Sequence, residues 1–329
     1  MKPDIDAIFN STSPTQFEEL ALSVFRYQAR ECAVYAKYLS GLAVFPESIS
    51  KVEEIPFLPI EFFKSQEIKS SESDKKSILF TSSGTTGMVP SMHFVSDVSV
   101  YEKSYLEGFE LAYGNIQDYC VLALLPSYLE RDGSSLIYMV EDLIKKSNHS
   151  DSGFYLHNYE DLILKLNKLE ESGQKTILIG VTYALLDLIE KQQLNLKNTI
   201  IMETGGMKGK RKEMVREELH STLCKRFGVD EIHSEYGMTE LLSQAYSKGD
   251  GIFNCPPWMK ILIRDTNDPF AIFPANKTGG INVIDLANIH SCSFIATQDL
   301  GKLHSDNSFE VLGRFDNSDI RGCNLLLAD

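Results

Sequence analysis

Residues 176–203 read TILIGVTYALLDLIEKQQLNLKNTIIME, and this stretch decides the fold class. The apolar runs at 176–180 and 199–203 contain two isoleucines each and have the length of strands. Between them, apolar residues recur at helical spacing, and Thr182 is the predicted cap of a helix that runs to about residue 193. A strand, a helix and a second strand in this order predict a βαβ unit with parallel strands.

The same alternation continues on both sides of this unit. Further elements predicted from these patterns are strands at 77–82, 120–126 and 231–237 and helices at 134–146 and about 209–227. Gly228 is expected to end the last helix. The pattern indicates an α/β protein with parallel sheets and flanking helices. Right-handed crossovers place the loops after the strands at one edge, where such proteins bind ligands.

The two ends of the chain have different patterns. A helix is predicted over 14–43, capped by Ser13, and the two prolines in 55–60 favour a buried extended segment there. After about residue 255 the predicted elements are short strands without helices between them, at 279–284, 293–301 and 309–316. We therefore expect an α/β body at 1–255, a small antiparallel β-subdomain at 256–313 and a short tail at 314–329.

Composition excludes several classes of protein. The 329 residues include 32 Lys and Arg against 46 Asp and Glu, a formal net charge of −14. This balance argues against a protein that binds nucleic acid or an anionic membrane. The six cysteines are widely spaced, which argues against a zinc module and a disulfide framework and favours a reduced, cytosolic compartment. No apolar run suggests a signal peptide or a membrane span.

The segment FTSSGTTG at 80–87 follows a predicted strand. Its two glycines would let backbone N–H groups approach an anion, and its five hydroxyls can donate to phosphate oxygens. It lacks the spacing of a Walker A loop. From these residues alone, a polar turn and a phosphate-binding loop both stay open.

Two later segments carry polar groups that suit a nucleotide. SEYGMTE at 234–240 combines an aromatic ring, a glycine, a hydroxyl and a carboxylate, which suits base stacking, phosphate contact and Mg²⁺ ligation. TQDLG at 297–301 and GRFD at 313–316 place an aspartate and an arginine in predicted β-turns, for a ribose diol and a phosphate. Ordinary turns and a helix start are the alternatives for each segment by itself.

In their order along the chain, TSSGTTG, EYGMTE, TQDLG and GRFD resemble the motif series of the adenylate-forming superfamily, which contains acyl-CoA synthetases and firefly-type luciferases. The segment IPFLPIEFFKSQEI (55–68) and the ending RGCNLL (321–326) look like the acyl-protein synthetase (LuxE-type) branch from bacterial bioluminescence systems. The resemblance implies an adenylate-forming large domain, here without the usual C-terminal domain.

The resemblance also implies an activity. A carboxylic acid, here a fatty acid, attacks the α-phosphate of ATP with Mg²⁺ present, and the resulting acyl-adenylate passes its acyl group to a thiol. Residues whose motif positions imply a role in binding ATP are Thr81, Ser82, Ser83, Gly84, Thr85, Thr86, Gly87, Gly205, Gly206, Tyr236, Gly237, Asp299 and Arg314. Thr239 would contact the α-phosphate and Glu240 would ligate Mg²⁺. Tyr236 would stack on the base, and Asp299 would bind the ribose.

The chain departs from the family pattern at two places. Ser91 follows Pro90, where the family has a lysine, so that a cation is expected from elsewhere, with Lys208, Lys210 and Lys212 as candidates. The chain also ends 13 residues after Asp316, where the family continues into a domain that brings the catalytic lysine.

In the acyl-protein synthetase branch, a cysteine near the C-terminus accepts the acyl group. The resemblance therefore implies that Cys323 is the acceptor and that an acyl reductase is a partner protein. A buried structural cysteine is the alternative for Cys323. Two other functions stay open: the large domain of an acyl-CoA or aryl-CoA ligase whose C-terminal domain is a separate chain, and a non-catalytic subunit that binds a nucleotide or an acyl group.

Overall fold

The computed structural model describes residues 3–70, 77–82, 89–126, 132–205 and 214–314. Helices α1 to α9 are Ile5–Phe9, Pro14–Glu31, Ala33–Gly41, Phe62–Ser65, Val98–Tyr113, Ser135–Ser147, Tyr159–Glu171, Thr182–Lys191 and Arg216–Phe227. Strands β1 to β8 are Leu58–Pro59, Ile78–Thr81, Met92–Val95, Cys120–Leu124, Gly153–Tyr155, Thr176–Val181, Thr199–Thr204 and His233–Tyr236. Strands β9 to β15 are Ala245–Ser247, Ile252–Asn254, Met259–Arg264, Ile272–Phe273, Thr278–Asp285, Phe294–Leu303 and Phe309–Arg314.

Thirteen of the strands in the described ranges form one sheet, in the order β12-β11-β13-β14-β15-β10-β9-β8-β7-β6-β4-β5, with β1 added on β14. Strands β5, β4, β6, β7 and β8 are parallel to their neighbours in this group, which confirms the predicted α/β fold. Strands β11 to β15 pair antiparallel to one another, as expected for the region after residue 255. Strands β9 and β10 join the two parts into a continuous hydrogen-bonded sheet.

The predicted strand at 77–82 forms, but it does not join the parallel sheet to which the sequence pattern assigned it. Strand β2 pairs antiparallel with β3 in a separate sheet of two strands, so it is not part of the parallel sheet. The apolar run was read correctly as a strand, but its partner is a strand that follows it closely in the chain, which a pattern of alternating strands and helices does not reveal.

The βαβ unit at 176–203 forms with one correction. All residues of β6 are buried, and its ladder with β7 is parallel over six pairs. Thr182 is the first residue of α8 and not its cap, because the preceding Val181 holds the extended capping position. The Thr182 hydroxyl donates instead to Glu203 Oε2 at 3.0 Å, because the side chain points toward the buried end of β7.

The long N-terminal helix was predicted as one element and is two. Cys32 has an extended backbone (ψ 100°) and separates α2 from α3. The break lets each helix bury its own apolar residues, such as Phe25 in α2 and Tyr35 in α3. Ser13 caps α2 as expected, with its hydroxyl accepting from the Gln16 amide at 3.3 Å.

Two further boundaries can be compared with the sequence. Helix α9 begins at Arg216, after non-helical residues at 214–215, and the earlier part of the predicted helix at 209–213 lies outside the described residues. Gly228 ends α9 in a left-handed conformation (φ 72°), as predicted.

The segment at 55–60 is buried and extended as predicted, and β1 within it pairs parallel with β14. Among the described helices, none is long and apolar enough to cross a membrane.

Candidate active site

The carboxyl ends of two parallel strands, β7 and β8, lead directly into segments that were predicted to bind a ligand. Strand β7 ends at Thr204 and is followed by Gly205, whose positive φ of 66° suits glycine. Strand β8 ends at Tyr236 and is followed by a turn through Thr239 and Glu240. This edge is where α/β proteins bind ligands.

Some of the predicted site residues lie outside the described residues. They are Ser83, Gly84, Thr85, Thr86, Gly87 and Gly206, the candidate cations Lys208, Lys210 and Lys212, and Cys323. Their assigned roles stay predictions. The described members, from Thr81 to Arg314, can be placed.

Tyr236, Asp299 and Arg314 come from three different strands and meet in one cluster. The Tyr236 hydroxyl donates to Asp299 Oδ2 at 2.9 Å, and Arg314 Nε donates to Asp299 Oδ1 at 3.2 Å. Asp299 is almost fully buried, whereas 71% of the Arg314 side chain is exposed. The sequence offered both a strand at 293–301 and a β-turn for Asp299. The strand is confirmed, because Asp299 lies inside β14, directly opposite Arg314 in the β14–β15 ladder. The cluster therefore presents an arginine to solvent beside a buried aspartate.

The ring of Tyr236 is packed at its edges. It contacts Phe253 and Phe309 with ring centroids 6.0 and 5.5 Å apart, at steep interplanar angles. The three rings form an aromatic cluster that holds the tyrosine in place against the antiparallel strands. Stacking of Tyr236 on an adenine base stays a prediction.

Glu240 is a buried carboxylate next to this cluster. Its side chain is 6% exposed, and burial raises its pKa while a hydrogen bond with the Ser91 side chain opposes the rise. The charges of Arg314 and Asp299 also act on Glu240, which places these groups near one another.

The base of the first motif is held close to the second. Ser82 and Ser91 bond to each other twice: the Ser91 amide donates to Ser82 Oγ at 2.8 Å, and the Ser82 amide donates to the Ser91 carbonyl at 3.0 Å. The Thr81 amide donates to the Gly133 carbonyl at 2.8 Å. Because His93, two residues after Ser91, bonds to the Thr239 carbonyl, the strand after the predicted phosphate loop lies at the turn that carries Thr239 and Glu240.

The backbone of this turn is fixed by three buried side chains. His93 Nδ1 donates to the Thr239 carbonyl at 2.7 Å, and Asn288 Nδ2 donates to the Glu240 carbonyl at 2.8 Å. Burial lowers the pKa of His93 to about 4, so this ring is neutral at physiological pH. Asp285 accepts from the amides of Leu242 and Ser243, at 2.7 and 3.0 Å. Sequence reasoning missed Asp285, since a lone aspartate at the end of an apolar strand carries no local signal.

The donors at this turn can be tested for their fit to Mg²⁺. In the described parts of the chain, no group of three or more His, Cys, Asp or Glu side chains is arranged to hold a metal ion. Mg²⁺ typically binds through one or two carboxylates together with substrate phosphates and water. A single buried carboxylate at Glu240, beside the base of the predicted phosphate loop, fits that mode of binding and does not fit a site built from protein ligands alone.

A second acidic residue, Glu235, precedes Tyr236 in β8 and lies on the opposite face of that strand from Tyr236. It is half-buried, and its carboxyl group accepts from the Thr204 hydroxyl at 2.6 Å. Burial, reinforced by the charge of Glu203, raises the pKa of Glu235 to about 7, against an ordinary value of 4.5. Sequence reasoning did not single out this residue.

We expect Glu235→Gln to stabilise the protein at alkaline pH. In the wild type, the folded state keeps a proton on Glu235 that the unfolded state releases. The contribution of Glu235 to the free energy of unfolding is therefore complete below pH 4.5 and is lost as the pH rises to about 7. For a fully enclosed carboxyl this pKa difference corresponds to about 3 kcal/mol, and partial exposure reduces it to about 2 kcal/mol. Denaturant unfolding at pH 4 and pH 8 checks this. An equal effect of the substitution at both pH values would contradict it.

The described cysteines are free thiols without features of a reactive group. Cys32, Cys120 and Cys292 are buried, and Cys224 and Cys255 are half-buried. Burial raises the pKa of each of these thiols, which keeps them protonated. This agrees with the prediction that they are structural.

Comparisons with known proteins agree with this fold. No protein-family model matches the chain. The chain is 21% identical over 332 residues, which cover 94% of it and 86% of the relative, to a long-chain-fatty-acid–luciferin-component ligase of Vibrio harveyi. Its structure is similar to 2-hydroxyisobutyryl-CoA ligase in complex with 2-HIB-AMP, with a TM-score of 0.65 at 10% identity over 92% of this chain and 68% of that one.

ATP-bound MatB from Rhodopseudomonas palustris is also similar, with a TM-score of 0.53 at 17% identity over 72% of this chain. The match covers 47% of MatB, so the chain corresponds to about half the length of that enzyme. These likenesses to solved structures concern the fold. Together with the sequence match, they confirm that the chain resembles the adenylate-forming superfamily and, within it, the acyl-protein synthetase branch.

Proposed function

We propose that the protein activates a carboxylic acid, in the first place a fatty acid, as an acyl-adenylate. The acid's carboxylate oxygen attacks the α-phosphorus of ATP, forming an acyl–phosphate bond, while the bond to the β-phosphate breaks and pyrophosphate leaves. A thiolate then attacks the acyl carbon and AMP leaves. The similarity to a long-chain-fatty-acid ligase supports the choice of acid.

The observation that carries this proposal is the convergence of the four motif segments, of which the third and fourth lie on the paired strands β14 and β15 and the first two come from distant parts of the sequence. The strand that follows the first motif reaches the second motif through His93, which bonds to the Thr239 carbonyl at 2.7 Å. Tyr236 joins the second motif to Asp299 and through it to Arg314. Structural turns or helix starts give no reason for the first two motifs to meet each other and the β14–β15 pair. A nucleotide site does, because base, ribose and phosphates must be bound at one place.

Each of these residues has a role in the proposed reaction. The attacking carboxylate and the triphosphate are both anionic, so approach requires that donors and cations offset their charge. Mg²⁺ bound with Glu240 would supply charge neutralisation at the phosphate oxygens. Thr239 lies one residue before Glu240 in the same turn and would donate to the α-phosphate. The exposed guanidinium of Arg314 is available to phosphate or ribose oxygens beside Asp299.

The test is exchange of labelled pyrophosphate into ATP, with Mg²⁺, across saturated fatty acids of increasing length and a set of aromatic acids. We expect exchange that depends on a fatty acid. If only aromatic acids support exchange, the proposed reaction would stand, but the substrate would be an aromatic acid and not a fatty acid. Absence of exchange with every acid, together with tight binding of ATP, would favour a non-catalytic binding subunit.

We also propose that Cys323 accepts the acyl group, and that an acyl reductase receives it afterwards. Cys323→Ser should leave the exchange reaction intact, because the thiol acts only after adenylation. It should reduce the amount of radiolabelled fatty acyl group bound to the protein as a hydroxylamine-sensitive thioester to background. Cys224→Ser is the matched control, since Cys224 is half-buried and its thiol pKa is raised by burial. A protein-bound thioester that persists in Cys323→Ser, or acyl transfer to added coenzyme A alone, would contradict this role.

A further inference from the structure

Strands β7 and β8 are joined by backbone pairing at Met202–His233 and Glu203–Ser234. At the next position, a side-chain hydrogen bond between Thr204 and Glu235 continues the connection, at 2.6 Å. We propose that Glu235 is a positioning residue, which holds the Tyr236–Gly237 backbone against Gly205 and thereby shapes the nucleotide site. This inference rests on the proposed function, in which Gly205 and Tyr236 bind the base.

The position of the carboxyl group depends on Gly237. A Cβ atom built on Gly237 would lie 2.3 Å from Glu235 Oε1, far closer than any side chain tolerates. The carboxyl group therefore lies directly against the backbone that follows Tyr236, while its other oxygen is bound to Thr204. In this way one side chain bridges the two backbone segments that leave the sheet at the predicted site.

Packing alone does not account for a carboxyl group at this position. Glu235 lines a cavity of about 10 Å³, which has room for about one water molecule. The cavity's other walls are almost entirely apolar and include Val121, Met139, Ile179 and Met202. A buried carboxyl is less favourable here than a leucine of similar size, because it loses its hydration and gains one hydrogen bond. A group that costs stability at the end of a strand next to a ligand site is a candidate for function.

The groups around Glu235 determine whether its charge can change alone. Tyr101 and Tyr113 of α5 and Tyr246 of β9 have pKa values raised by burial, and His233 of the same strand has a pKa lowered to about 4. Glu203 of β7 has a lowered pKa, and Lys248 lies beyond, near His233 and the Tyr113 ring. Helix α6 contributes Met139, Val140 and Leu143 to the cavity.

It follows that Glu235 changes charge near neutral pH while these neighbours keep theirs. The ionised carboxylate adds a negative charge next to a site for an anionic nucleotide, in a place where water screens it poorly. The affinity for ATP should therefore fall as the pH rises through 7. Among the described residues, Glu235 makes no hydrogen bond to Thr239 or Glu240, and its carboxyl bonds to Thr204 instead. The effect should therefore appear in the KM for ATP and not in kcat.

The experiment measures binding of MgATP by titration calorimetry, and the KM for ATP in the exchange assay, between pH 6 and pH 8.5. Glu235→Gln keeps an acceptor for Thr204 but cannot ionise. It should bind ATP like the wild type at pH 6 and several-fold more tightly at pH 8.5. Titration of ATP itself is common to both proteins and cancels in the comparison.

Glu235→Leu and Thr204→Val each remove the hydrogen bond, and each should weaken ATP binding by roughly tenfold at pH 6, where Glu235 of the wild type is protonated. The double variant should be no weaker than the poorer single variant, because the two residues act through one contact. Thr199→Val is the matched control. It removes a hydroxyl from the other end of β7 and should leave ATP binding unchanged.

Two results would overturn the inference. One is a folded Glu235→Leu protein with wild-type affinity for ATP, and the other is a Glu235→Gln protein with the pH dependence of the wild type. The second remains decisive even where Glu235→Leu does not fold. A wild-type protein that binds no ATP at any pH would overturn the proposed function, and this inference with it.

Discussion

Replacing Glu240 by glutamine should reduce ATP–pyrophosphate exchange by a factor of about a hundred or more. Glutamine has nearly the same shape and can still bond with Ser91, but it carries no negative charge for Mg²⁺. In the proposed reaction this ion neutralises charge on the triphosphate, an effect worth several kcal/mol in the transition state. In the wild type, burial raises the pKa of Glu240 and favours the protonated form. A bound cation would oppose this effect and favour the ionised form.

The measurement is the exchange rate as a function of Mg²⁺ concentration, with the proposed fatty acid at saturation. Glu240→Gln should need more Mg²⁺ and still not reach the wild-type rate. Glu107→Gln is a suitable control, since Glu107 is partly exposed on α5 and lies outside the four motifs. Wild-type exchange in a folded Glu240→Gln protein would remove Glu240 from the proposed mechanism.

The largest loss of stability is expected from Asp285→Ala, at about 3 to 5 kcal/mol. The buried carboxylate accepts from the amides of Leu242, Ser243 and Ala287 and from the Ser243 hydroxyl, at 2.6 to 3.2 Å. Alanine would leave these donors buried without partners, and each unsatisfied group costs about 1 to 3 kcal/mol before the chain relaxes. The turn after Glu240 would loosen with them.

Denaturant unfolding of the wild type and of Asp285→Ala at the same pH gives the difference in their free energies of unfolding. Asp265→Ala serves as the control, because Asp265 accepts from an amide two residues away in a surface turn. This substitution should lower the free energy of unfolding by less than about 1 kcal/mol. A loss for Asp285→Ala as small as that of the control would show that the buried donors find other partners.

Local patterns were sufficient to predict the parallel part of the fold. The apolar runs at β4, β6 and β7 are buried on both faces, which produces continuous hydrophobic sequence, and helix signals separate them. Gly228 and Ser134 act as helix boundaries through bonds to near neighbours, so their roles are visible locally. The order of the four motifs predicts one nucleotide site, and this stays a prediction.

Features that depend on distant partners were predicted less well. Asp299 was covered by a predicted strand and by a predicted β-turn, and local sequence did not decide between them, because its place in β14 is set by pairing with β13 and β15. Thr182 looked like a cap, but Glu203 from the next strand attracts its hydroxyl. Glu235 and Asp285 received no role, because a single acidic residue in a strand looks the same whether it is solvated or bound by donors from elsewhere in the fold.

A cut near residue 255 would not produce two self-sufficient pieces. Strand β10 lies before that point and β15 lies after it, yet the two pair through Ile252–Glu310 and Phe253–Phe309. A fragment that ends at residue 255 would expose the unpaired backbone of β10 and the ring of Phe253, which in the whole protein is almost fully buried. Such an edge is a template for aggregation. Expression of the α/β part alone, or its use as one half of a split reporter, would therefore require that the antiparallel strands be supplied at the same time.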